Sequence, residues 1–378
     1  MRVETSYSSI SINLISVSLL FYVVAAFVDN KLLYVAKDVI FVFILFMMLF
    51  KYYPVSVWGV VGMFAFINTY ALILSHRDID FIFYILSLRE FLFYPVTGIL
   101  LGYHLSKYNK FEKYFFRFIF IALLLTVLYL IFFPYDSFGP TFRLTSFWDR
   151  EHEPAIIAGV FLLWVSFSNY DRKYMILAML VCVSILLLSA SRSVFLAIFI
   201  PIFLLQVKNM SIYKILLSMF FIAVFLSLYP YITLSGRGVD HNIDLRVAQY
   251  VLALTSLYDH NFLGLGSDQY GVVGSLSKEY CIHGQCTTTM DSSLLKYTVN
   301  YGVFFIIPFI VFLYKIFLYF FKIERNIEKK VFSILVFSLV IGATTGKLGA
   351  FPLNFILYMI FGLFIYHFQF SYTKKERF

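Results

Sequence analysis

Apolar runs of about eighteen residues or more recur from one end of this chain to the other, and each is long enough to cross a hydrocarbon core of about 30 Å as a helix. That feature removes most folds. Charged residues make up only 13% of the 378, while hydrophobic residues make up 61%. A soluble chain is nearer a quarter charged, so this one has too little polar side chain to cover a water-facing surface. A β-barrel is excluded, because its strands would be short and alternating rather than continuously apolar. The expected fold is all-α: a polytopic membrane protein forming a single integral membrane domain over residues 1–378, with no obvious internal repeat. The run at 9–28 is too long for a typical signal-peptide core and shows no clear small-x-small cleavage site, so it is read as a helix that stays.

About twelve helices are expected, over 9–28, 33–50, 54–75, 81–103, 113–133, 154–169, 174–190, 193–207, 213–232, 292–318, 329–346 and 351–370. The 174–207 stretch reads as a close hairpin turned at "SASRS". Orientation follows from the basic residues of short loops, which stay on the cytoplasmic side. Alternate connections carry Lys107, Lys110 and Lys113; Arg172 and Lys173; Lys208 and Lys214; Lys322, Arg325, Lys329 and Lys330; and Lys374, Lys375 and Arg377. All fall on one side if both termini are cytoplasmic. The two longest loops, 134–153 and 233–291, then face outward, the larger one carrying short helices. Every cytoplasmic loop is short, which excludes a nucleotide-binding domain there, and no nucleic-acid partner is expected.

The cations differ by side. Cytoplasmic loops are mostly lysine, whereas the outer loops and the "SASRS" turn hold Arg143, Arg150, Arg192, Arg237 and Arg246. Arginine presents a planar fork that binds phosphate oxygens in pairs and stays charged at any relevant pH. Arginines gathered on the side that positive charge avoids suit a lipid-linked diphosphate.

Each polar stretch also has a plainer reading. In "TFRLTSFWDREHEPAIIAG" (141–159), Pro154 suits a first helical turn and Glu153 is stabilised by the helix dipole. That makes a capped helix with a solvated loop, or else a general base, with Arg143 as phosphate ligand. Arg192 in "SASRS" either snorkels to headgroups or shares an anion with its flanking serines. "SGRGVDHNIDLR" (235–246) is expected to lead into a short helix, with Asn242 as N-cap and Leu245, Ala248, Leu252 and Thr255 on its mostly apolar face. Its Arg237, Asp240, Asp244 and Arg246 pair among themselves, for only about 0–1 kcal/mol each, or serve a substrate. Cys281 and Cys286 are candidates for a disulfide in a small outer loop. No metal site is expected, since only His283 lies near them. Within the apolar runs, Lys37, Asp38, Arg89, Glu90 and Lys296 are expected to face the bundle interior and to pair.

Three local features resemble the O-antigen ligase and polymerase superfamily, and within it the Wzy-type polysaccharide polymerases. These are an arginine followed by Glu-Pro at a helix start ("FRLTSFWDREHEPAIIAG"), Ser-Arg-Ser after an apolar helix ("LLLSASRS"), and a long outer loop with arginine, helix and a Gly-x-Gly close ("RVAQYVLALTSLYDHNFLGLG") leading to "TMDSSLLKYTVNYG". The likeness covers roughly residues 140–305. It implies a glycosyltransferase C-like fold and transfer of a polyprenyl-diphosphate-linked oligosaccharide onto a sugar hydroxyl at the periplasmic face of a bacterial inner membrane. No cofactor is implied; membrane lipid and a chain-length regulator are the other expected partners. Arg143, Arg192, Arg237 and Arg246 fall at the family's functional arginines, with Arg150, Arg89 and Asp291 as secondary candidates. Ligases of this kind usually carry histidine where this chain has Met290-Asp291, which favours the polymerase; His241 and His283 keep the ligase open. The catalytic base is expected to be Glu153, with Asp240 or His241 behind it. A flippase for the same lipid-linked sugar is the rival class.

Overall fold

Two helices remote in sequence meet backbone to backbone, and the frame of the molecule starts there. The computed structural model describes residues 31–74, 88–107, 111–134, 144, 153–168, 172–189, 191–207, 240–266, 280–282, 285–287, 292–344 and 353–373. Among them are α1 (Lys31–Leu49), α2 (Val55–Leu74), a π-helical turn (Arg89–Phe93) running into α3 (Tyr94–Lys107), α4 (Phe111–Phe132), α5 (Glu153–Ser166), α6 (Arg172–Ser189) and α7 (Arg192–Val207). They continue with α8 (Asp240–Asp259), a hairpin of β1 (Tyr280–Ile282) and β2 (Gln285–Thr287), α9 (Ser293–Tyr301), α10 (Val303–Lys322), α11 (Asn326–Thr344) and α12 (Leu353–Thr373). The described residues are thus all-α apart from one short antiparallel ribbon. The helices expected at 9–28 and 213–232, and the first part of the one at 81–103, lie outside the described residues.

The close pair is α3 and α12. A Cβ on Gly98 would lie 2.9 Å from the Tyr358 Cβ, and a Cβ on Gly102 or Gly362 would overlap the Met359 or Ile99 carbonyl oxygen. Small residues four apart let helix backbones touch, a device common between helices in membranes. Partner numbers rise together along both helices, so the two run parallel.

A second junction joins three helices. Gly159 of α5 faces the Phe337 ring of α11, where a Cβ would come within 2.9 Å, and Val194 of α7, within 3.2 Å. Further along α5, the Lys330 ammonium lies 4.9 Å from the Trp164 ring centroid. Phe111 and Phe115 of α4 pack on the same indole at 5.7 and 4.5 Å, and Glu112 pairs with Lys330. From Gly159 to Trp164, then, α11 is traversed backwards: α5 and α11 are antiparallel. The end of α5, the start of α4 and the start of α11 share one end of the bundle. Lys107 ends α3 just before α4, and Lys322 ends α10 just before α11. Arg172 opens α6 at the end opposite the α6–α7 turn. There the Glu328 carboxylate accepts hydrogen bonds from the backbone N–H groups of Glu324 (2.9 Å) and Arg325 (3.1 Å) and from Arg325 Nε (2.7 Å). The basic residues at these helix ends therefore gather at one end of the molecule.

Two expected helices are corrected. The helix at 292–318 is broken at Gly302, whose φ of +52° and ψ of −136° fit neither helix. A Cβ at that position would overlap the Phe262 carbonyl oxygen, and that oxygen accepts from Val303 N–H at 2.9 Å. The chain after α8 occupies the break, so α9 and α10 cannot be one rod. The helix expected to be short in the larger loop is α8, 20 residues long. It begins at Asp240, so Asn242 lies in its first turn rather than at its N-cap. Its buried stripe includes Ala248, Gln249, Leu252, Ala253 and Leu257, and Thr255 is exposed.

Among the described residues, Val303–Lys322 is the one helix long and apolar enough to cross a membrane, and shorter apolar stretches include Glu153–Ser166 and Asn354–Phe368. α10 exposes Ile307, Ile310, Val311 and Phe317; α1 exposes Val39, Phe43 and Phe46; α6 exposes Leu177, Leu180 and Leu187. Apolar faces of this extent are rare on soluble monomers and fit membrane association.

Gly102→Leu is expected to force α3 and α12 apart and lower stability by about 1–3 kcal/mol or more. Gly62→Leu, where a Cβ meets nothing within 4 Å, should be neutral. Thermal melts of the two purified variants in detergent check this.

Candidate functional mouth

The end opposite the basic residues collects buried polar groups, and the Gly159 junction sets their level. Glu153 stands six residues before Gly159 on α5, about 9 Å of helix rise. Gly342 stands five residues beyond Phe337 on α11, about 7.5 Å, and Ser191 three residues before Val194, about 4.5 Å. The Ser292 hydroxyl donates to the Gly342 carbonyl at 3.1 Å and accepts from Leu295 N–H at 3.2 Å, capping α9. The starts of α5, α7 and α9 and the end of α11 thus meet at one mouth. Leu144 is tied there as well, its N–H donating to the Leu188 carbonyl at 3.2 Å near the end of α6.

Apolar neighbours and polar contents are both visible in the burial. Glu153 is 2% exposed, Ser189 0%, Ser191 1%, Ser293 2%, Lys296 8%, Asn300 0% and Gln249 3%. Among the described residues, neither the Ser189 hydroxyl nor either atom of the Asn300 amide has a hydrogen-bond partner. Three helix N-termini aim their positive dipole ends at this region, which favours a negative charge.

α8 is fastened to the mouth through α9, by Leu252, Ala253, Leu257, Leu265 and Val299. The "FLGLG" close then docks by backbone alone: Leu265 N–H donates to Val299 O at 2.9 Å and Gly266 N–H to Asn300 O at 3.0 Å. Gly264 and Gly266 take φ of +95° and +93°, where side-chain-bearing residues are strained. A Cβ on Gly264 would come 2.6 Å from the Asn300 carbonyl oxygen. The glycines of this motif serve close approach.

A second charged cluster sits at the same end. Asp38 of α1 accepts from Arg89 Nη1 at 3.0 Å and from the Tyr94 hydroxyl, and Lys37 Nζ lies 3.4 Å from it. Lys37 and Arg89 also flank the Tyr94 ring, 5.4 and 6.0 Å from its centroid. Phe41 packs edge-on against both Tyr94 and Phe355, which sets the cluster level with the start of α12, a short step after the end of α11. The π-turn at Arg89–Phe93 lies between Arg89 and Tyr94, two of the groups that meet at Asp38; such turns recur at functional sites.

The expected site residues distribute as follows. Glu153 opens α5 with its side chain buried, Arg192 opens α7, and Asp240, His241 and Arg246 fall in the first two turns of α8. Arg89 belongs to the Asp38 cluster. Arg143, Arg150, Arg237 and Asp291 lie outside the described residues, although Leu144, next to Arg143, is fixed at the mouth. Lys296, expected to face the bundle interior, is buried, and it belongs to a stripe with Ser293 and Asn300, which the sequence reading does not single out. Its signal was polar residues at i, i+3 and i+7 in "SSLLKYTVNYG", which share one helical face. Among the described residues, no three His, Cys, Asp or Glu side chains gather as a metal site would require.

In the hairpin, Cys281 and Cys286 stand directly opposite each other. Opposed residues of an antiparallel ladder lie about 4.5–5.5 Å apart at Cα, inside the disulfide range of about 4.4–6.8 Å. Cys182 is a buried thiol. Alkylation of the denatured, unreduced protein should therefore modify one cysteine, and all three after reduction. Mass spectrometry reads the difference; three modified cysteines without reductant would contradict the pairing.

No protein-family model and no curated protein matches the sequence.

Proposed function

We propose that this chain is a polysaccharide polymerase of the Wzy type, acting at the outer face of a bacterial inner membrane. It joins oligosaccharide repeat units carried on polyprenyl diphosphate by transferring the growing chain onto a sugar hydroxyl of another lipid-linked unit. In this reading the chain crosses the membrane about twelve times with both termini cytoplasmic, and the basic end of the bundle is the cytoplasmic one. The observation that carries the reading is Glu153: a carboxylate buried at a helix start, at the end where α7 and α9 also begin, opposite the end that gathers the basic helix termini.

The chemistry needs two things. The departing diphosphate gains charge as the anomeric bond breaks, and Arg143, Arg192, Arg237 and Arg246 are assigned to balance it, assisted by the helix dipoles. The attacking hydroxyl loses a proton, and Glu153 is assigned to take it. Guanidinium groups doing the charge work fit the mostly arginine character of the outer loops.

Deleting the gene should leave a single capped repeat unit in place of the ladder of surface polysaccharide on a gel. Loss of every attached repeat would indicate a ligase or a flippase instead. Glu153→Gln, expressed normally, is expected to slow elongation by about 10²–10⁴-fold. Full-length polymer from Arg143→Ala and Arg246→Ala proteins at normal levels would contradict the arginine assignment.

A further inference from the structure

α9 presents three distinct faces. Leu295 and Val299 pack on α8. Ser293, Lys296 and Asn300 form the buried polar stripe. Leu294 and Tyr297 line an aromatic cleft of ≈ 190 Å³ whose walls include Phe64, Ile67, Phe309 and Phe361, from α2, α10 and α12. The cleft follows α10 from Phe305 to Phe312, about 10 Å of helix rise. Its lining residues Met63, Phe64, Phe305 and Phe309 are half-buried, so it opens at the molecular surface.

Asn300 is the group that calls for a ligand. Its amide is fully buried, and among the described residues neither nitrogen nor oxygen has a hydrogen-bond partner. Buried amides are almost always satisfied, and leaving one unsatisfied is costly. Lys296 is one helical turn away on the same face, where side chains at i and i+4 are neighbours. An ammonium beside an amide N–H offers donors to anionic oxygens. A polar stripe and an aromatic cleft on adjoining faces of one helix match an amphiphile with a charged head.

We propose that α9 holds the lipid end of an isoprenoid diphosphate. The Lys296 ammonium and Asn300 amide take oxygens of the lipid-proximal phosphate, and the cleft takes the first part of the hydrocarbon chain. One cleft walled by aromatic rings accepts a single unbranching path of chain, which favours a prenyl phosphate over a two-chain phospholipid. This rests on the polymerase reading and extends it: the sugar end of the donor lies toward Glu153, and its lipid leaves past α2 and α10.

The test uses the purified full-length chain in detergent with farnesyl diphosphate as probe, followed by native mass spectrometry. Saturable binding is expected, with farnesol and inorganic pyrophosphate each weaker by about tenfold or more. Lys296→Ala and Asn300→Ala should each weaken farnesyl diphosphate binding by about tenfold, and Lys296→Arg should restore most of it. Phe309→Trp, which fills the cleft without touching the polar stripe, should block the probe while sparing pyrophosphate. Unchanged binding in Asn300→Leu, with a raised melting temperature, would make Asn300 a purely structural group and overturn the proposal. Equal competition by phosphatidylglycerol would overturn it too. Because binding is read without elongation, the polymerase reading can fail while this site survives, and the reverse.

Discussion

The junction at Gly159 is the contact on which the arrangement depends. With no side chain there, α5 lies against Phe337 of α11 and Val194 of α7, and three helices acquire a common level. Counting outward along each from that point brings Glu153, Ser191 and Gly342 to one end; counting the other way brings Trp164 under Lys330. A larger residue at 159 would push the phenyl ring and the valine away and disturb both ends at once. Packing at one glycine therefore sets where the charges of three helices stand.

The two ends are chemically unlike. At the basic end, lysines and arginines sit at helix termini, and Glu112 and Glu328 are matched by Lys330 and Arg325. At the mouth, Glu153, Ser191 and Ser293 are drawn inside, as Glu328 and Lys330 are at the basic end, and among the described residues Asn300 and Ser189, like Trp164 and Ser333 nearer the basic end, have buried polar atoms with no hydrogen-bond partner. A chain so apolar has little reason to bury such groups for stability alone, since burying polar atoms without partners costs free energy.

Much of the helical order is legible in the residues. Where residues are described, long apolar runs predict most helix ends to within a few positions, the run at 292–318 apart, and "SASRS" predicts the break between α6 and α7, because such signals are local; the close hairpin expected over 174–207 does not form, since α6 packs on α5 and α7 on α11. What escapes is tertiary. Gly302 reads as an ordinary residue within an apolar run until the Phe262 carbonyl is seen to occupy its place. The glycines of "FLGLG" read as a loop close, and the structure adds that they dock against the backbone of α9. Gly98, Gly102 and Gly362 carry no sign of which helix they meet. Asp38 and Arg89 are each recognisable as intramembrane charges, but their pairing across 51 residues of sequence is a property of the fold. Lys296 is conspicuous by its charge, whereas Asn300 matters only once its burial is known.

A polymerase, as proposed, would elongate lipid-linked saccharides at the mouth. The most direct measurement reconstitutes the purified chain in proteoliposomes and supplies polyprenyl-diphosphate-linked single repeat units to the face bearing the mouth. Lipid-linked products of two and more repeats are expected, with free polyprenyl diphosphate released in step. Repeat units that cross the bilayer unchanged in length would contradict it.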